Sequence, residues 1–279
     1  MASPISITLE QMKTVLAWLE RAAKKGFDPA SFQQGIDNPQ LLEQQIALLQ
    51  GGGLIPVRFE EPQSHLRARE ILGEGNFHGI LAAQKGFGPY TVEELARRMP
   101  LRLYDQEGNP FTSSDEETLA VCGECKDTHI LVATRALSLV GIHDRCKSRM
   151  ANDQDAPWFI QEDQKRAFAS RAIAAPWLLV RKTVVPDSWG KSQRVQEQHI
   201  RDTLPKERFI LPEAYVYSAL LHLQETGEKL CPGYVVRFPV QAADGHWVCA
   251  CWYGEQLYVR SWNGEAYDAI ASCTVRASK

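Results

Sequence analysis

The side chains with the clearest potential for chemistry are two closely spaced pairs of metal-ligating residues. Cys122 and Cys125 form one pair, and His143 and Cys146 form the other, each with two residues between its members. A short pair of this kind can occupy two positions around a tetrahedral Zn²⁺, and two such pairs are typical of zinc ribbons. One hypothesis is therefore a zinc-containing protein that associates with nucleic acid. The alternative is that the two pairs are unrelated and flank a buried strand, so that no metal binds.

A glycine-rich segment at residues 73–79 invites comparison with phosphate-binding loops. Its sequence, Gly-Glu-Gly-Asn-Phe-His-Gly, does not match the spacing Gly-x-Gly-x-x-Gly, and no Gly-Lys-Ser or Gly-Lys-Thr follows it. We therefore predict an ordinary glycine-rich loop at this position.

The sequence contains no recognisable motif for nucleophilic catalysis. No Gly-x-Ser-x-Gly elbow is present, and seven cysteines beside seven histidines do not by themselves predict a Cys–His pair. We expect His199 and His222 to be solvated or hydrogen-bonded residues rather than bases. An enzyme with dispersed catalytic residues remains an alternative. A cavity where titratable groups with shifted pKa values converge would favour it.

Aromatic residues near the C-terminus form a candidate binding surface. In the predicted strand at residues 256–262, alternation puts Leu257 and Val259 on one face and Tyr258, Arg260 and Trp262 on the other. The first face suits a hydrophobic core. The second has the mixture of Tyr, Arg and Trp that is enriched at binding hot spots. It is either a partner-binding surface or a face that the rest of the chain covers.

Composition restricts the class of protein that must position these residues. The chain has 279 residues, of which 44% are hydrophobic and 23% charged, so it is expected to fold. A net charge of -3 and a pI of about 6.2 do not favour a strong nucleic-acid or membrane-surface binder. No run of 18 apolar residues and no secretory signal are visible. We expect reduced thiols and a cytoplasmic protein without a membrane partner.

Three regions are predicted along the chain. Residues 1–53 show helical spacing of apolar side chains and end in three consecutive glycines. Residues 54–156 mix helix and strand signals, including a capping box formed by Thr91 and Glu94. Residues 157–279 hold six of the seven tryptophans and form a C-terminal α+β module.

The C-terminal module is predicted to end in an antiparallel meander. A helix at residues 212–223 precedes strand-like segments, with Gly, Asn and Asp in the turns between them, because tight turns need positive φ angles. The predicted strands cover residues 234–238, 247–253, 256–262 and 267–275. The fold class is therefore α+β, with a helical N-terminal region followed by a mixed C-terminal module.

Residues 157–279 resemble a set of uncharacterised bacterial proteins. The similarity lies in WLLVRK (177–182), QEQ (196–198), LPEA (211–214), TGEKL (226–230) and YVVR (234–237). The C-terminal strands are also similar to the display region of variable proteins from diversity-generating retroelements, which implies a C-type-lectin-like fold. In relatives of the formylglycine-generating enzyme, a helix begins with a motif similar to the LPEA of residues 211–214. The Gly-Gly-Ser-Trp phrase of those relatives is missing here, so the resemblance implies no catalytic residue.

The function expected from the sequence is binding without catalysis. The C-terminal β-surface carrying Tyr258, Arg260 and Trp262 would contact a macromolecular partner, most simply a protein. The zinc-ribbon protein and the enzyme without a recognisable motif are the alternatives. The resemblance implies no cofactor.

Overall fold

The computed structural model describes residues 61–150, 159, 167–243, 245–262 and 268–274. The chain divides after residue 60, and the described residues all belong to the second unit, residues 61–279. The helices predicted within residues 1–53 and most of the polar boundary predicted at residues 150–157 lie outside the described residues. Helices and largely antiparallel sheets together confirm the predicted α+β class.

The helices and strands of the described residues follow one another along the chain without internal repeats. The helices are α1 (Gln63–Leu72), a short 3₁₀ helix (Glu74–Asn76), α2 (Ile80–Phe87), α3 (Val92–Ala96), α4 (Asp115–Cys125), α5 (Leu139–Cys146), α6 (Ala167–Ser170), α7 (Gln193–Thr203) and α8 (Pro212–Thr226). The strands are β1 (Phe77–His78), β2 (His129–Ala133), β3 (Trp177–Arg181), β4 (Glu207–Phe209), β5 (Val235–Gln241), β6 (Trp247–Tyr253), β7 (Gln256–Trp262), β8 (Asp268–Ile270) and β9 (Ser272–Thr274). None of these helices has the length and apolar composition needed to cross a bilayer.

The first sheet has the strand order β1-β2-β3-β9-β4. Strands β1 and β2 are parallel, and the remaining neighbours are antiparallel. Neighbouring residues of a strand point to opposite faces. Phe77 contacts His65 of α1, whereas His78 contacts His222 of α8. Helices α1 and α4 therefore cover one face of this sheet, and α8 with α2 and α5 covers the other.

The second sheet has the strand order β7-β6-β5-β8. Its first three strands form the predicted antiparallel meander, whereas β8 runs parallel to β5. Helix α8 lies between the two sheets. The hydroxyl of Tyr217 donates a hydrogen bond to the Ala133 carbonyl of the first sheet, and Tyr215 packs on Phe238 of the second.

Local sequence explains where several elements begin and end. The Thr91 hydroxyl accepts a hydrogen bond from the Glu94 backbone N–H, and the Glu94 carboxylate accepts one from the Thr91 N–H, so the predicted capping box at α3 is confirmed. Helix α8 begins with Pro212 in its first turn and ends at Gly227, whose φ of 77° suits a left-handed cap.

The first sheet draws strands from two of the predicted regions. Strands β1 and β2 come from residues 54–156, and β3, β4 and β9 come from residues 157–279. Residue 157 therefore does not separate two independent sheets. The segment predicted as one strand at residues 267–275 is β8 and β9, which belong to different sheets.

Candidate functional site

The structure does not bring the four predicted zinc ligands together. Cys122 and Cys125 lie on α4, and His143 and Cys146 lie on α5, on the other face of the first sheet. Among the described residues, no three His, Cys, Asp or Glu side chains are grouped closely enough to hold a metal ion. Burial raises the pKa of the Cys122 thiol to about 12, which keeps it protonated at neutral pH. The zinc-ribbon hypothesis thus gains no support from the geometry.

The predicted binding face of β7 is partly covered. Leu257 and Val259 are buried in the core, as the alternation predicts. On the other face, Tyr258 and Arg260 are half-buried. The side chain of Trp262 is not among the described side chains. Arg260 pairs across the sheet with Cys249, which is buried next to the fully buried Arg237 of β5.

The exposed part of this face lies at the β6–β7 turn. Tyr253 is 77% exposed and contacts Tyr258 edge to face, with ring centroids 5.9 Å apart. The aromatic surface that remains available is therefore centred on the turn rather than on the middle of the strand.

A polar cavity of 430 Å³ lies at the glycine-rich segment. The loop is fixed at both sides, because the Asn76 amide donates hydrogen bonds to the carbonyls of Leu72, at 2.8 Å, and Lys126, at 3.3 Å. The end of α1 supplies Arg69 to the cavity wall, and the end of α8 supplies Glu225 and Thr226. The glycine-rich loop, for which the sequence predicted no phosphate-binding role, thus forms part of the cavity wall.

A buried pair of histidines lies at the cavity. His78 of β1 lines it, and its Nε2 lies 2.8 Å from Nδ1 of His222, so that one ring N–H donates to the nitrogen of the other ring. Burial and the neighbouring His222 lower the pKa of His78 to about 3. Burial also lowers the pKa of His222. Both rings are therefore neutral at neutral pH and act as hydrogen-bonding groups rather than cations.

Glu61 presents an unpartnered carboxylate oxygen at the same cavity. Its Oε2 accepts a hydrogen bond from Arg69 Nη2 at 2.5 Å, whereas its Oε1 is buried and has no partner among the described residues. Only 9% of the Glu61 side chain is exposed. A buried carboxylate oxygen without a hydrogen bond is costly, so this atom is ready to accept one from a ligand.

Glycine at position 79 makes room for this arrangement. A Cβ atom at Gly79 would lie 2.7 Å from Cε1 of Phe77 and 2.8 Å from Oε1 of Glu61. Both distances are shorter than van der Waals contact, so any other residue would displace the ring or the carboxylate. The glycine keeps the cavity wall close to Glu61.

A second polar cluster is buried in the first sheet, away from the cavity. Arg181 donates two hydrogen bonds to the Glu207 carboxylate, at 3.0 and 2.5 Å, and Ser272 donates another. His129 Nε2 lies 3.5 Å from Glu207 Oε1. Burial opposes the ionised form of Glu207, but the hydrogen bonds from Arg181 and Ser272 and the nearby His129 ring outweigh it and lower the pKa of Glu207 to about 2. The cluster joins β2, β3, β4 and β9, which indicates a structural role.

A larger hollow of 540 Å³ lies between α7 and β4. Its charged lining residues include Glu107 and Arg201, which are solvent-exposed. Water hydrates such groups, so they need no ligand. The smaller cavity is therefore the better candidate site.

Comparisons of this chain with protein-family models, with characterised proteins and with solved structures found no match. The fold and the site therefore define the class of protein by geometry alone: an α+β protein with a polar cavity between a glycine-rich loop and the end of a central helix. Sequence reasoning singled out the loop but not the pairing of His78 with His222. The only local signal was a histidine placed directly before Gly79.

Proposed function

We propose that this protein binds a small polar ligand in the cavity beside the glycine-rich loop. The observation that carries the proposal is Glu61 Oε1, a buried carboxylate oxygen at the cavity wall that has no hydrogen-bond partner within the described part of the chain. A volume of 430 Å³ is within the range of small-molecule sites. Fixed polar groups such as Glu61 and His78 would orient the ligand.

The neutral protonation state of the cavity histidine favours binding over acid–base catalysis. A general base works best when its pKa lies near the working pH. The pKa of His78 is lowered to about 3, so this ring is a poor proton acceptor at neutral pH. As a neutral ring it still donates or accepts hydrogen bonds. This proposal shares the absence of catalysis with the sequence-based expectation, but it replaces the macromolecular partner at the C-terminal β-surface with a small ligand in the cavity.

The test is a screen of the full-length protein for ligand binding. Panels of small polyols, amino acids, carboxylates and amines are added to the protein, and binding is measured by ligand-observed NMR and by the melting temperature. We expect at least one chemical class to bind and to raise the melting temperature. Glu61→Gln should weaken binding about tenfold or more, whereas Glu116→Gln, at an exposed surface pair with Arg67, should leave it unchanged. Equal binding to both variants, or binding of no class, would contradict the proposal.

A protein partner at the β6–β7 turn is a second candidate function. It is favoured by one observation, the 77% exposure of Tyr253 beside Tyr258. The exposed Tyr253 ring beside the half-buried Tyr258 leaves apolar area in water, which a partner would cover. The triple change Tyr258→Ala, Arg260→Ala and Trp262→Ala would then abolish partner binding with the melting temperature nearly unchanged. A large loss of stability would assign these side chains to the core.

The remaining expectations from the sequence stay proposals. We keep three of them as proposals together with the protein-binding function: a C-type-lectin-like fold, a likeness to retroelement variable proteins and a bacterial origin. A cytoplasmic location is proposed on the reduced thiols, since the described cysteines are free.

A further inference from the structure

We infer that the cavity ligand carries a protonated primary amine on a short aliphatic chain. This inference rests on the proposed function, because it names the chemical class of the ligand for the same cavity. It is carried by the charge of the cavity wall, by the hydrogen-bonding groups that face it and by its apolar side.

The charged groups at the wall are mostly negative. Among the described residues, Glu61, Glu74 and Glu225 line the cavity together with one guanidinium, that of Arg69. Glu74 lies at the rim, with 88% of its side chain exposed. Arg69 is shared, because its Nη2 lies 2.5 Å from Glu61 and its Nε lies 3.6 Å from Glu74. Lys85 does not line the cavity, but it contacts Glu225 at 3.2 Å and offsets its charge. The three carboxylates and two cations therefore leave one net negative charge, which a cationic ligand would balance and an anionic ligand would increase.

The hydrogen-bonding groups complement an ammonium group. Oε1 of Glu61 is an anionic acceptor, and a hydrogen bond from a charged donor to a charged acceptor is stronger than one between neutral groups. An ammonium group has three N–H donors and no acceptor. The neutral His78 ring does not oppose a positive charge, since its pKa is lowered to about 3. A protonated histidine at this wall would repel the ligand.

The remaining wall suits the aliphatic part of such a ligand. Phe77, Leu81 and Ala82 line the cavity with hydrocarbon atoms. Leu81 is 48% exposed, so an aliphatic chain that covers it would remove apolar area from water. Arg69 already lies over the Phe77 ring, 5.1 Å from its centroid. The ammonium group is therefore assigned to Glu61 and the hydrocarbon chain to Leu81.

The experiment uses four probes of similar length with the full-length protein. Butylamine and 1,4-diaminobutane carry the amine, 1,4-butanediol is neutral, and butyrate is anionic. Dissociation constants are measured by isothermal titration calorimetry at neutral pH. We expect both amines to bind at least about tenfold more tightly than the diol, and butyrate not to bind, because the amines make a charge-assisted hydrogen bond.

Two variants test whether the preference for amines depends on the Glu61 carboxylate. Glu61→Gln should weaken amine binding about tenfold or more, and Glu116→Gln should leave it unchanged. If Glu61→Gln fails to fold, Glu225→Gln replaces it, because it removes another negative charge from the wall. Diol binding as tight as amine binding would overturn this inference and leave the proposed function in place. Failure of all four probes to bind would overturn this inference, and the broader screen would then decide the proposed function.

Discussion

The imidazole rings of His78 and His222 are joined by a hydrogen bond of 2.8 Å, although 144 positions separate the two residues in the chain. The bond connects β1 of the first sheet to the central helix α8. Because both rings are buried and neutral, the pair holds the cavity wall to the core without introducing a charge. Stability should therefore depend on keeping these rings unprotonated.

The first prediction concerns the pH dependence of stability. The folded-state pKa of His78 is about 3, below the unfolded value of 6.5, so the unfolded chain binds more protons when the pH falls below 6.5. The stabilisation is fully present above pH 6.5 and decreases toward acid. For His78 alone, the free energy of unfolding should fall by about 2 kcal/mol between pH 7 and pH 5. His65 and His222, whose pKa values are also lowered, add to this loss.

Urea unfolding at several pH values measures this effect. In His78→Gln the contribution of that residue disappears, so the difference in unfolding free energy between pH 7 and pH 5 should shrink by about 2 kcal/mol. The same pH dependence in the variant and the parent protein would show that His78 is not kept neutral by the fold.

The second prediction concerns the close approach at Gly79. In Gly79→Ala the new methyl group would meet both Phe77 and Glu61, so we expect a loss of about 1–3 kcal/mol in unfolding free energy. Ligand binding should also weaken, because the Glu61 carboxylate has to move.

Gly123 provides the matched control. It is exposed on α4, and a Cβ atom there would meet nothing within 4 Å. Gly123→Ala should therefore leave stability unchanged or raise it by up to about 1 kcal/mol through helix propensity. Denaturant unfolding compares the two variants, and a Gly79→Ala protein as stable as Gly123→Ala would refute the proposed crowding.

The third prediction concerns the buried ion pair of the first sheet. In Glu207→Gln the guanidinium of Arg181 stays buried without its counter-charge, so unfolding free energy should fall by about 3–5 kcal/mol. The exposed pair Arg67–Glu116 is the control, and Glu116→Gln should change stability little, since water screens that pair. Equal thermal unfolding curves for both variants would argue against a structural role for the cluster.

The fourth prediction concerns the C-terminal strands. A chain that ends at Gly264 lacks β8 and β9, and β9 lies between β3 and β4 in the first sheet. Its removal exposes the hydrogen-bonding edges of both neighbours and the apolar surface beneath Ile270. We expect no cooperative thermal unfolding by circular dichroism. A soluble chain that ends at Gly264 and melts cooperatively would disagree with the observed topology.

The sequence predicted the elements whose signals are local. The strands β6 and β7 agree with the predicted segments because hairpin turn residues delimit them. The division of residues 267–275 between two sheets was not predicted. Local sequence favours an extended backbone there, but the choice of neighbouring strand is decided by tertiary packing.

The candidate site was harder to predict because its parts are distant in the chain. Spacing made Cys122 and His143 look like members of one metal site, but the first sheet lies between their helices. The cavity combines Glu61, the glycine-rich loop and the end of α8. No periodicity connects those segments. The Glu61 oxygen that lacks a partner among the described residues is recognised only once they are folded together.

Ligand titration followed at individual histidine rings is the most direct test of the cavity as the functional site. Two-dimensional ¹H–¹⁵N spectra of the histidine side chains are recorded while 1,4-diaminobutane, or another ligand that binds in the broader screen, is added to the full-length protein. The account predicts saturable shifts for His78 and His222, with little change at His129, which lies in the separate cluster around Glu207. Unchanged resonances of His78 and His222, or shifts of equal size at His129, would contradict it.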